Sequence, residues 1–376
     1  MNRPMTHRVV ARNDFQALFP ALEGAGYTVI GPTVTQEAIV YDQVHQVEDL
    51  PIGWTDTQGP GVYELRRRED DALFGFAVAQ QSWKSYLYPP RSTLFTVSRR
   101  DGSWEFTPGE VPEVRYAMLG VRACELAAIG IQDRVFLGSE HRDRIYDTVR
   151  RDLFTIGVNC AVAGGTCFCV SMETGPRCES GYDLVLTEIL DGTRHEFVFE
   201  TGSEAGEAIL EQLPGRPATN QDLAEIDAIV ERTASSMGRS MDTDGIKELL
   251  YDNPEHPRWD EVADRCLACT NCTLVCPTCF CSTVEDTVTL DGAEATRSRR
   301  WDSCFNLDFS GLHGVPVRQS RKARYRQWMT HKLASWYDQF GSSGCVGCGR
   351  CITWCPVGID ITEEVAAIRA TQEVVT

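Results

Sequence analysis

The chain has 376 residues, of which 42% are apolar and 24% charged, and a formal net charge of −18. This suits two or three globular domains. It argues against a nucleic-acid binder, which needs a basic face to neutralise phosphates. No apolar run reaches bilayer length: Tyr116 to Ile131, the best candidate, is interrupted by Arg122 and Glu125. Met1 to Asp14 lacks the apolar centre of a signal peptide. The expectation is a cytoplasmic chain without a transmembrane segment.

Along the chain, Asn13 to Glu23 is helical in pattern and Tyr27 to Val34 reads as a strand. Gly24-Ala25-Gly26 precedes that strand, the wrong order for a dinucleotide-binding turn. Tyr116 to Val121 reads as a buried strand, Cys124 to Val135 as a helix, and Phe154 to Asn159 as a second strand after a helix near Tyr146. This alternation predicts a parallel α/β sheet. Both strands run into cysteine-bearing segments, where ligand sites of such sheets lie. Asp183 to Leu190 and His195 to Glu200 form an expected hairpin across Asp191-Gly192. From about Ser203 to Val262 the pattern is helical, over Ala205–Leu213, Gln221–Met237, Asp244–Tyr251 and Trp259–Arg265. The expected layout is an α/β domain over 1–202, a helical linker over 203–265 and a cysteine-rich domain over 266–376 with an insert, 283–344.

Cysteine is the unusual quantity: there are 16, none before Cys124. A reducing cytosol disfavours disulfides, and clustered thiols there point to metal ligation. Residues 266–277 read Cys-Leu-Ala-Cys-Thr-Asn-Cys-Thr-Leu-Val-Cys-Pro, and residues 345–356 read Cys-Val-Gly-Cys-Gly-Arg-Cys-Ile-Thr-Trp-Cys-Pro. Each is a complete C-x₂-C-x₂-C-x₃-C-P run, in which three thiolates wrap one [4Fe–4S] cluster and the fourth reaches the other. Cys266, Cys269, Cys272 and Cys355 are thus expected to hold one cluster. Cys345, Cys348, Cys351 and Cys276 are expected to hold the second. Pro277 and Pro356 sit where no N–H is needed. A zinc ribbon also uses C-x₂-C pairs, but two three-plus-one runs closed by Pro suit it poorly. The cysteine-rich domain therefore reads as a split bacterial-ferredoxin-like fold.

Eight cysteines remain, two pairs of them in Thr166-Cys-Phe-Cys and Thr278-Cys-Phe-Cys. A third [4Fe–4S] cluster on Cys124, Cys160, Cys167 and Cys169 is expected. Cys279, Cys281 and Cys304 form the rival set, and some of the eight, Cys178 among them, can be packing thiols. The insert is basic, with Arg297, Arg299, Arg300, Arg318, Arg321, Lys322, Arg324 and Arg326. Lys322, Arg326 and Lys332 are expected near one face of a 321–340 helix. There they would raise a cluster's potential or receive an acidic partner, unless they only form local ion pairs. His141, His195 and His313 are isolated, and no hydrolytic arrangement, P-loop or flavin fingerprint is visible.

Four blocks carry a wider resemblance: Gly120-Val-Arg-Ala-Cys-Glu, Thr166-Cys-Phe-Cys-Val-Ser-Met, Cys276-Pro-Thr-Cys-Phe-Cys and Trp301-Asp-Ser-Cys-Phe. From about Ser82 to Ile368 the chain resembles the iron–sulfur β subunits of soluble NAD(P)-linked [NiFe] hydrogenases (sulfhydrogenases), a family that includes the corresponding iron–sulfur subunits of anaerobic sulfite reductases. The resemblance implies a non-catalytic electron-transfer subunit without its own flavin. Its partners would be the hydrogenase small and large subunits and a flavin/NAD(P)H-binding subunit. Arg299-Arg-Trp-Asp-Ser-Cys and the long Arg321–Phe340 region favour the hydrogenase branch, whereas Cys178 favours the sulfite reductase branch. A self-contained flavin-dependent iron–sulfur oxidoreductase is the third possibility, against which the missing flavin fingerprint counts.

Overall fold

The computed structural model describes residues 6–372; the outermost ends of the first and last expected domains, 1–5 and 373–376, lie outside the described residues. Eight strands form one mixed sheet, in the order Arg216–Pro217, His7–Ala11, His195–Thr201, Leu184–Leu190, Phe154–Val158, Tyr116–Arg122, Thr28–Thr35 and Ala38–Gln43. The four strands from Leu184–Leu190 to Thr28–Thr35 are mutually parallel, and antiparallel neighbours flank them. The expected strand–helix–strand unit is present. Tyr116–Arg122 leads into the helix Ala123–Leu137, then Arg144–Arg151, and returns as Phe154–Val158. Phe154–Val158 is buried along its whole length, as a strand covered on both faces must be. The hairpin turns at Gly192, whose φ of 81° suits glycine.

A second, four-stranded sheet is not legible in the sequence. It joins Arg91–Arg100 and Ser103–Pro108 to Ser282–Val288 and Glu294–Trp301. The insert therefore begins as a hairpin that pairs with a strand from the N-terminal part of the chain. The helices of 203–265 divide among three clusters, Ile226 and Ile229 packing with Val9, Ile189 and Val198. Ile209 and Leu210 join the core under the large sheet, whereas Ile246, Leu249, Trp259 and Val262 pack with Ile352, Ile361 and Tyr325 in the cysteine-rich region. The 321–340 stretch is helical as expected, but a π-helical turn, His331–Ser335, separates Arg321–Thr330 from Trp336–Phe340. No helix among the described residues is long and apolar enough to cross a membrane.

Candidate cluster-binding centre

The two cysteine runs fold along the same path. In the first, Ala268 and Thr270 have φ of 51° and 71°; in the second, the equivalent Gly347 and Gly349 have φ of 63° and 75°. Each loop then makes one short helix, Asn271–Leu274 or Arg350–Thr353, before its Cys-Pro pair. The left-handed residues turn the chain twice within seven positions, which brings three thiols to one side.

The loops differ in what surrounds them. Ala268 and Thr270 are half-buried, and Cys269 beside them is exposed. Gly347 and Gly349 are buried under the segment Thr166–Cys169. A Cβ on Gly347 would lie 2.6 Å from the Cys169 nitrogen, and one on Gly349 2.4 Å from the Thr166 carbonyl oxygen. Glycine is required there by backbone contact as well as by φ. The Phe168 N–H donates to the Gly347 carbonyl at 2.8 Å.

Cys266, Cys269, Cys272 and Cys355 line one apolar pocket with Phe305 and Tyr325. The Ala268 N–H donates to Cys266 Sγ at 3.4 Å, and the Ile359 N–H to Cys355 Sγ at 3.3 Å. Cys276 leaves its own loop and stands near Cys345, Cys348 and Cys351, whose thiol acidity it perturbs. Burial pushes the Cys345 thiol up to about 12; Lys332 draws it back, and Cys348 and Cys276 add repulsion. Cys351 also lines the pocket of the first set, and Cys272 lies near both Cys351 and Cys276, so the two thiol groups adjoin one another. Two four-thiol sets, with apolar walls and backbone N–H donors, have the donor chemistry of [4Fe–4S] sites. Among the described residues no three Cys, His, Asp or Glu side chains converge on one point as a single metal ion demands; a cubane instead takes each thiolate at a separate iron.

The third expected set lies beside the second loop. Cys160 follows the strand Phe154–Val158, and Cys167 and Cys169 lie in the segment that covers Gly347. Burial pushes Cys167 up to about 12, with Cys160 adding to it; burial also raises Cys169, followed by Cys160 and Cys167. These three thiols are neighbours. Cys124 is the second residue of the helix Ala123–Leu137 and packs with Cys169 and Cys348. Cys178 is buried in the sheet core beside Cys160 and Arg122, and a Cβ on Gly157 would meet its Sγ at 3.2 Å. Fully buried Arg122 donates to the carbonyls of Phe74 and Phe76 at 3.0 and 2.8 Å and hydrogen-bonds Cys160, while its Nε and Nη1 find no oxygen acceptor among the described residues. Its charge draws the Cys160 thiol down against the larger effect of burial. A buried guanidinium with no carboxylate partner among the described residues, beside grouped thiols, suits an anionic occupant.

The rival set is also grouped, but as pairs. A hydrogen bond from Cys279 holds Cys276 below its usual range, and one from Cys304 draws Cys281 down to about 7. Most of the basic residues prove to be locally paired. Arg297 bonds Asp286 at 2.6 Å, Lys322 bonds Asp260 at 2.9 Å, Arg326 bonds Glu255 at 2.8 Å, and Arg299 and Arg300 pair with Asp143 and Glu285. Lys332 departs from the expected common face and is buried against Cys276. Ten residues on from Lys322, helical rotation has carried the side chain about 80° round the axis. His195 bonds Glu188 at 2.8 Å, a structural role, because Glu188 also accepts from the Leu73 and Phe74 amides. Sequence reasoning misses Arg122, Glu125 and Arg350. Glu125 accepts from Arg350 at 2.6 Å and from Tyr41 at 3.0 Å, and both members of the ion pair are 1% exposed. Their one sequence signal is charge interrupting apolar or cysteine-rich runs.

Residues 265–359 match the family described as the 4Fe-4S dicluster domain. Over 369 residues the chain is 28% identical to sulfhydrogenase 2 subunit beta of Pyrococcus furiosus, covering 94% of this chain and 96% of the relative. The chain thus carries a 4Fe–4S dicluster domain and is a relative, over nearly its whole length, of a sulfhydrogenase β subunit, as its motifs led one to expect.

Proposed function

We propose that the chain is an electron-transfer subunit that relays electrons between the small and large subunits of a soluble [NiFe] hydrogenase and a flavin/NAD(P)H-binding subunit. The observation that supports the reading most is that Cys355 lines one pocket with Cys266, Cys269 and Cys272, while Cys276 stands near Cys345, Cys348 and Cys351. Cys266, Cys269, Cys272 and Cys355 hold one cluster; Cys345, Cys348, Cys351 and Cys276 hold the second. A [4Fe–4S] cluster so held supplies one-electron storage. The residues supply the rest: Phe305, Tyr325 and Trp328 give the first set an apolar wall, and the Ala268 and Ile359 amides donate to its sulfurs. Cys124, Cys160, Cys167 and Cys169 hold a third cluster, on the support of their grouping and of Arg122. The relative's name, a subunit of a sulfhydrogenase, supports membership of a complex.

The purified chain is expected to be brown, to contain iron and sulfide and no flavin, and to take electrons from dithionite but not from NADPH alone. Adding the flavin subunit should permit reduction by NADPH. Stoichiometric flavin on the isolated chain, or unaided NADPH oxidation, would overturn the relay. Cys276→Ala should alter the EPR signal of the Cys345, Cys348 and Cys351 cluster; an effect confined to the other cluster refutes the crossing. Cys160→Ser with Cys167→Ser should remove one cubane's iron from the full chain, and unchanged iron refutes the third site.

A further inference from the structure

Two lysines are buried in the cysteine-rich region with no carboxylate partner among the described ion pairs. Lys332 is 5% exposed and Lys84 is 4% exposed. An uncompensated buried ammonium is costly, so such a group is retained against an anion or as a neutral amine.

The hydrogen bonding decides between these for Lys332. Its Nζ donates to Cys276 Sγ at 3.3 Å, to Thr278 Oγ1 at 2.9 Å and to the Gly344 carbonyl at 3.1 Å. The Thr278 hydroxyl spends its own hydrogen on the Gly344 carbonyl at 2.7 Å, so toward Nζ it accepts. A carbonyl oxygen only accepts. Cys276 Sγ also lies 3.1 Å from Thr278 Oγ1; as a cluster-ligating thiolate Cys276 can only accept, and three acceptors around one nitrogen then require three hydrogens, which only the ammonium has. Lys84 lies across the same segment: its Nζ donates to the carbonyls of Leu274 and Cys279, both at 3.2 Å, and stands 4.0 Å over the Trp301 ring. The Lys332 ammonium and the Lys84 amine, whose basicity burial lowers, thus flank Cys276-Pro-Thr-Cys-Phe from opposite sides. Lys332 projects from the π-helical turn His331–Ser335, a local distortion that recurs at functional sites.

The other cations are offset. Arg350, on the second loop, is neutralised by Glu125. Arg321, whose guanidinium donates to the Cys266 carbonyl at 2.9 Å, is exposed and screened by water. Between the two crossed sets, a buried lysine without a carboxylate partner among the described residues therefore lies on the Cys276 side, whereas Arg122, buried and likewise without a carboxylate, stands beside Cys160 of the third set.

We propose that Lys332 is the fixed counter-charge of the cluster held by Cys345, Cys348, Cys351 and Cys276, and that it sets this cluster's reduction potential above that of the cluster held by Cys266, Cys269, Cys272 and Cys355. Lys84 acts in the same sense from the other side. This rests on the two-cluster reading above. A reduced cluster is one charge more negative than an oxidised one, so a positive charge bonded to its ligand favours the reduced form. The first electron taken by the chain then resides on the inner cluster.

The test is an anaerobic EPR redox titration of the full, cluster-loaded chain as wild type, Lys332→Met, Lys332→Arg and Lys84→Met, with iron and sulfide measured on each. In the wild type, the signal altered by Cys276→Ala should appear first. In Lys332→Met, that cluster's reduced-to-oxidised ratio at fixed potential should fall at least tenfold, equivalent to 59 mV for one electron. The other cluster should move little, and Lys332→Arg should keep most of the wild-type value. If Lys332→Met loses its iron, Lys84→Met must lower the same cluster's ratio in the same direction. Two clusters whose potentials ignore both substitutions, or that shift equally, overturn the assignment of Lys332 while leaving the relay intact. A wild-type chain with fewer than two clusters overturns the relay reading itself.

Discussion

The Arg350–Glu125 pair gives the most direct mutational test of how the two cores are joined. Arg350 belongs to the second cysteine loop and Glu125 to the helix that follows Tyr116–Arg122. Glu125→Gln keeps the volume and a hydrogen-bonding oxygen but deletes the charge. Arg350 then keeps the amide oxygen, the Ala79 carbonyl at 2.7 Å, the Gln81 carbonyl at 3.2 Å and its bond to Cys348, but no carboxylate. Removing one partner of a buried pair costs about 3–5 kcal/mol, mostly from the charge left behind. At 1% exposure no solvent discount applies, but the two carbonyls favour the lower end, about 3 kcal/mol. At 1.4 kcal/mol per factor of ten, that is roughly a hundredfold in the folding equilibrium.

Denaturant titration of the loaded chain, read by circular dichroism and by visible cluster absorbance, measures this cost. The double variant Glu125→Gln/Arg350→Met should recover most of the loss, because no charge is then stranded. A single variant within about 1 kcal/mol of wild type, or a double variant as unstable as the two singles summed, would refute the account.

Two further outcomes follow from the loops and the thiols. Gly347→Ala should disrupt the second loop, since its Cβ meets backbone at 2.6 Å, whereas Ala268→Gly should cost little; similar iron retention in the two variants would contradict this. Because burial pushes the Cys167 and Cys345 thiols up to about 12, both are protonated at neutral pH without a cluster, and loading must release protons. Anaerobic reconstitution in weak buffer should acidify the medium and improve from pH 6.5 to pH 8.5; loading independent of pH would count against ligation by these buried thiols.

Much of this is readable in the sequence because the relevant physics is local. The apolar run Tyr116–Val121 and the run before Asn159 announce buried strands, and the C-x₂-C spacing announces tight loops independent of the rest of the chain. What escapes depends on pairing across long separations. The strand Arg91–Arg100 alternates only weakly, and its partner lies some two hundred residues away in Glu294–Trp301, so no local pattern marks it. Lys332 reads as one of several surface cations, since a helical wheel cannot show that its neighbour is Cys276. Arg122 and Glu125 stand out only as charges that break an apolar run. Their burial follows from a capping interaction, the Arg122 amide to Glu125 at 3.4 Å, and from the arrival of Arg350.

The two cysteine runs also show how equal motifs acquire unequal roles. Both need left-handed backbone at their third and fifth positions, and either glycine or a tolerated Ala or Thr meets that need when the space outside is open. Only the second run has glycine at both, and it is the run on which Thr166–Cys169 lies at backbone contact distance. The glycines therefore record depth: the Cys266 loop faces solvent, and the Cys345 loop is enclosed by the α/β region. That enclosure brings Cys124 and Cys169 against Cys348. It makes the position of the third thiol set a consequence of the second loop's composition. A side chain at residue 347 or 349 would thus act on both sets at once, whereas one at 268 or 270 can act only on the outer set.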